Sequence, residues 1–85
     1  MEEEFKEIAR LFQEANSTLN SSKCRVTAKA TFNRAMTMLH ALEKDSDPDV
    51  ARAAKQMHAQ AKEAIGKDKS LHATMRAYAM VWREN

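Results

Sequence analysis

The sequence predicts an all-α fold: a compact antiparallel bundle of four helices over about 2–17, 24–44, 48–65 and 70–84. Three observations predict it. Apolar residues recur at spacings of three and four through nearly the whole chain, which lines them up on one face of a helix. The chain has one glycine and one proline, so breaks between helices are few. The connections between periodic segments are short, and short connections make successive helices antiparallel neighbours.

The first helix carries Phe5, Ile8, Phe12, Ala15 and Leu19 on one face. Glu2, Glu3 and Glu4 in its first turn complement the positive end of the helix dipole. The polar cluster from Asn16 to Ser22 competes for backbone hydrogen bonds, so the helix is expected to end inside it. The second helix aligns Ala28, Phe32, Ala35, Leu39 and Leu42, with Met36 and Met38 beside them.

Asp47 is the expected N-cap of the third helix, with Pro48 in the first position, where a missing N–H costs nothing. Its seam is Val50, Ala54, Met57, Ala61 and Ala64, with Ile65 alongside, and Gly66 supplies the stop. Ser70 caps the fourth helix, whose seam is Leu71, Met75, Tyr78 and Trp82. The alanine-rich third helix lets its neighbours approach closely, and aromatic residues of the other three fill the space.

Eighty-five residues make a single domain, 1–85. A chain of this size buries only about 60–65% of its unfolded surface, so a partner or a second copy would help it. Hydrophobic content of 44% and charged content of 31% fit a soluble globular domain rather than a disordered tail. The opening MEEEFKEIAR is acidic and amphipathic, which predicts no secretory signal, no membrane span and an intracellular, cytoplasmic location. The single cysteine, Cys24, forms no internal disulfide and is expected as a small core residue. Two Asn-x-Ser/Thr matches at Asn16 and Asn20 have no chemical meaning without secretion.

The net charge of +2 hides blocks. The first helix is acidic, the second carries Arg25, Lys29 and Arg34, and the DSDPD turn is acidic again. Oppositely charged helices lying side by side explain this pattern. Ser22, Lys23 and Arg25 at the start of the second helix form a weak candidate anion site, since helix N-termini expose N–H groups. Contact with the acidic first helix or the turn is the plainer account of the same residues.

Nothing in the chain reads as catalytic or as a cofactor site. His40, His58 and His72 lie on three different helices, without the spacing that gives metal ligands a common direction. A zinc site assembled across the bundle is conceivable, but surface or half-buried histidines are the default. No glycine-rich loop cradles phosphate, and no serine has a histidine and an acid at recognisable spacing. Neither an enzyme, a cofactor nor a metal is expected.

Six methionines are the more suggestive count. Methionine packs adaptably and is over-used on surfaces that accept varied apolar partners. Helices two and four carry more apolar surface than one seam buries, which suggests a groove for a partner helix or a self-association face.

The stretch Ala28-x-x-x-Phe32-x-x-Ala35-Met36-x-x-Leu39, the DSDPD turn, and Ala53, Met57 and Ala61 resemble the second and third helices of MIT domains. Tetratricopeptide hairpins share the small–aromatic–small spacing. The resemblance covers 28–65 and implies an adaptor that receives short amphipathic helices along a helix–helix groove. The matching surface would involve Met36, Leu39 and Met57, with Arg52 and Lys55 at its rim.

The expected function is thus a non-enzymatic protein–protein interaction module that binds a partner helix, or a second copy of itself, on a Met-rich apolar surface. One alternative is a small virus- or mobile-element-encoded regulator that masks a host protein surface. Another is a helical nucleic-acid-binding protein working through Lys55, Lys62, Lys67 and Lys69.

Overall fold

Four helices form a ring in which each packs on two others, in a computed structural model that describes residues 2–21 and 24–83. They are α1 (Glu2–Ser21), α2 (Arg25–Glu43), α3 (Pro48–Ile65) and α4 (Leu71–Val81). Helix α1 packs on α2 and α4, and α3 packs on the same two. The result is an all-α four-helix bundle measuring 38 × 26 × 22 Å. Among the described residues, no helix is long and apolar enough to cross a membrane.

Local chemistry sets the joints. The Asp47 side chain accepts from the Asp49 N–H, and Pro48 opens α3. Asp45 adds a second short bond at the turn by accepting from the Asp47 N–H at 2.9 Å. Gly66 ends α3 with φ of 69°, the left-handed region that glycine enters without a Cβ penalty. Ser70 Oγ accepts from the Ala73 N–H and caps α4, while Asp68 accepts from the Ser70 N–H.

Two expected boundaries shift. Helix α1 does not stop near residue 17 but continues to Ser21. Leu19 is fully buried with Ala15, Ala28 and Met75, so carrying the helix onward places an apolar side chain in a second core cluster. The polar residues conform rather than compete: Ser21 Oγ donates to the Ser17 carbonyl at 2.7 Å, and Asn20 donates to Asn16. Helix α4 ends earlier than expected, at Val81. There Gln13 of α1 donates from Nε2 to the Ala79 carbonyl and, at 3.4 Å, to the Trp82 carbonyl. A side chain of one helix thereby satisfies carbonyls that the end of another leaves orphaned.

All five aromatic residues of the chain join one ring cluster. Phe12 lies 5.3 Å from Phe32, 4.9 Å from Tyr78 and 5.8 Å from Trp82, between ring centroids. Phe5 stacks on Trp82 and closes the far end. Helix α3 answers with small residues, Ala54 and Ala61, both fully buried. The charged surface is more local than the block pattern suggests. Arg10 pairs with Glu7 and Glu14 on its own helix, and Arg52 with Asp49 on its own. These exposed pairs add little to stability. Across helices, Arg34 of α2 helps Arg10 hold the Glu7 carboxyl below its ordinary range, the Arg10 hydrogen bond being the larger cause.

Phe12→Ala removes the hub of this cluster and is expected to cost about 3–5 kcal/mol in urea unfolding. Val26→Ala, at a side chain 80% exposed, should stay within about 0.5 kcal/mol of the parent. Equal effects of the two substitutions would contradict the assignment of Phe12 as the hub.

Candidate functional site

The side chains with most chemical potential gather where the end of α2 meets the middle of α3. His40 and Glu43 stand one turn apart on α2, and spacing of three puts both on one flank of the helix. Met36 completes the stripe four residues earlier. His58 comes across from α3, with Nδ1 3.0 Å from Glu43 Oε2. Its ring lies 5.7 Å from that of His40 and 5.9 Å from that of Tyr78.

His58 is 8% exposed, and its Nε2 is buried with no hydrogen-bond partner among the described residues. One ring nitrogen is therefore engaged and the other stranded. An orphaned buried polar atom costs about 1–3 kcal/mol. Burial pushes the Tyr78 phenol above its ordinary range, and the neighbouring Glu43 carboxylate adds to the shift.

Sequence reasoning missed this grouping. Its one local signal is His40-x-x-Glu43, and the rest depends on helix register. In a flush hairpin, His58 would stand about 15 Å along α3 from the turn, because ten residues rise 1.5 Å each. It nevertheless reaches Glu43, the last residue of α2. From the middle of α3, the imidazole thus meets a carboxylate at the end of α2.

The residues proposed for partner binding do not share one surface. Leu39 is 0% exposed and belongs to the main core, so it does not reach a partner; this corrects the expectation. Met36 and Met57 are half-buried and packed against that core. At 100° per residue, Met57 lies about 160° around α3 from Lys55 and about 140° from Arg52. Lys55 and Lys62 fall on the His58 flank, which is turned to α2, and both are exposed. Met36 and the two lysines thus border the α2–α3 seam, while Met57 and Arg52 face elsewhere.

The apolar surplus is smaller than the composition suggests. Met75 is fully buried and Met38 packs on the core, leaving Val26 and Met80, 53% exposed, as the exposed large apolar side chains among the described residues. They occupy the first turn of α2 and the last turn of α4, at opposite ends of the bundle.

Of the candidate anion site, Ser22 and Lys23 lie outside the described residues. Arg25 is exposed and lines a cleft of about 400 Å³ with Leu19, Asn20 and His72. Cys24 is exposed at the N-cap of α2 rather than in the core, because it precedes the first buried position, Ala28. Its Sγ lies 3.0 Å from Thr27 Oγ1. A hydrogen bond from the Thr27 hydroxyl to the thiolate, helped by the backbone N–H groups of Thr27 and Val26, holds its pKa below the ordinary thiol range. Lys67, Lys69 and Arg76 are exposed.

Comparison with known proteins gives no match: no family model, no curated protein and no solved structure matches the chain.

Two titrations follow from these environments. Tyr78 has a raised folded-state pKa, so its contribution is intact below the unfolded value of about 10 and is lost as pH climbs toward the folded one. Stability should fall on the alkaline side of about pH 10, and Tyr78→Phe should flatten that limb in denaturant titrations. Alkylation of Cys24 by iodoacetamide should show a midpoint below that of a free thiol, about 8.5. Thr27→Val should move it upward; an unchanged profile would show that the hydroxyl does not stabilise the thiolate.

Proposed function

We propose that the chain is a non-enzymatic interaction module that receives an amphipathic helix, from a partner or from a second copy, along the α2–α3 seam. The observation that carries this reading is the position of Met36. It is half-buried against the main core on the flank of α2 that faces α3. A partner's apolar side chain placed there would extend a core already built, and the flexible thioether adapts to varied shapes.

Lys55 and Lys62 form an exposed row on α3 beside the same seam. They suit a helix with an acidic flank and would set its orientation and its rate of association more than its affinity. The likeness of residues 28–65 to MIT-type and tetratricopeptide hairpins points to the same mode of binding. Leu39 supports Met36 from beneath, and Met57 is not required.

A display library of amphipathic helical peptides, together with sedimentation of the chain alone, tests the reading. Met36→Glu should weaken binding of a retained peptide, or self-association, by about tenfold or more, equivalent to about 1.4 kcal/mol. The helical circular dichroism signal should persist. Met57→Glu should have the smaller effect. Unchanged binding by a folded Met36→Glu chain removes the seam as the docking surface.

A further inference from the structure

We propose that His40, Glu43 and His58 form a three-ligand site for a divalent first-row transition ion of the zinc class, its fourth position open to solvent. One ligand atom from each residue lies within 4.8 Å of the other two. On a tetrahedral zinc with bonds of about 2.0–2.1 Å, ligand atoms stand roughly 3.3 Å apart. Closing the site therefore takes side-chain movements of about 1.5 Å at most, within the reach of rotamer adjustment.

The donor set selects the metal. Two imidazoles and one carboxylate suit zinc, cobalt or nickel, whereas calcium and magnesium favour all-oxygen sites and copper(I) favours sulfur. Three protein ligands leave one position for water or for a group from another molecule.

Burial argues for the site independently of the distances. His58 is more than nine-tenths buried, with one ring nitrogen beside Glu43 and the other unpaired. Its ring packs between those of His40 and Tyr78. A half-satisfied imidazole against a carboxylate is a costly arrangement for a core position that an apolar ring would fill. An ion joined to both through Nδ1 would offset the carboxylate charge and use that nitrogen's lone pair, the ring proton then sitting on Nε2. His40 is exposed, so it gives the ion a route in from solvent.

Titration calorimetry of the full chain with Zn²⁺ alone, and the visible absorption of Co²⁺, test the proposal. One ion per chain should bind, with a tetrahedral Co²⁺ spectrum and a raised melting temperature. Because His40 is exposed, His40→Ala should fold, and loss of a ligand should cost more than the roughly ten- to hundredfold in affinity that loss of an outer-shell partner costs. Glu43→Gln should weaken binding as well, while His72→Ala should leave it unchanged. Absence of saturable binding overturns the proposal. So does wild-type affinity in both His40→Ala and Glu43→Gln, or loss of binding in His72→Ala.

Discussion

The bundle is organised around Phe12. Its ring touches Phe32 of α2, Tyr78 of α4 and Trp82 at the α4 cap, so one side chain of α1 ties three helices together. Aromatic pairs at these distances are worth about 0.5–1.5 kcal/mol beyond their buried area, and the shared hub makes their geometry mutually dependent. Helix α3 supplies no Phe, Tyr or Trp to this centre. Its buried alanines let the helix close on rings contributed from elsewhere. Phe32 also packs on the smaller cluster of Ala15, Leu19, Ala28 and Met75, which joins the two parts of the core.

Helix α3 meets that centre through His58. Tyr78 is held by Phe12 and Phe32, and His58 packs 5.9 Å from Tyr78. His40 stands next, on the exposed side. A chain of ring contacts thus runs from Phe5 through Trp82, Phe12 and Tyr78 to His58 and His40 at the surface. The candidate site lies at its outer end because the core fixes its inner end.

Features set by local chemistry were legible in the sequence. Asp47 with Pro48, Ser70 and Gly66 marked their helix ends, since caps and left-handed turns depend on neighbours within a few residues. The apolar spacing placed Phe12, Leu39 and Trp82 on inward faces. Features set by tertiary contact were not legible. Whether Asn16 to Ser21 is helix or loop is decided by the burial of Leu19, and local propensity yields to it. Cys24 is exposed because of where the first buried position of α2 falls. Methionine count overstated the free apolar face, because Met75 fills the space beside alanines rather than facing solvent. The His40–Glu43–His58 grouping was hidden for a geometric reason: it depends on a contact between α2 and α3 that no spacing within either helix encodes.

Two buried ring nitrogens lack partners among the described residues, Trp82 Nε1 and His58 Nε2, and magnitude separates them. An unsatisfied buried donor costs about 1–3 kcal/mol, while removing a buried Trp or Phe ring costs about 3–5. Trp82 stacks on Phe5 and Phe12, so its apolar area outweighs the stranded N–H. No such surplus exists for imidazole, which is smaller and polar on two edges. A phenylalanine or leucine in its place would keep the contact with Tyr78 without the penalty. What sets His58 apart is the Glu43 carboxylate at 3.0 Å and the His40 ring beyond it, partners that an apolar side chain could not use. The core therefore explains the tryptophan in full, and it explains the position of His58 but not its chemistry.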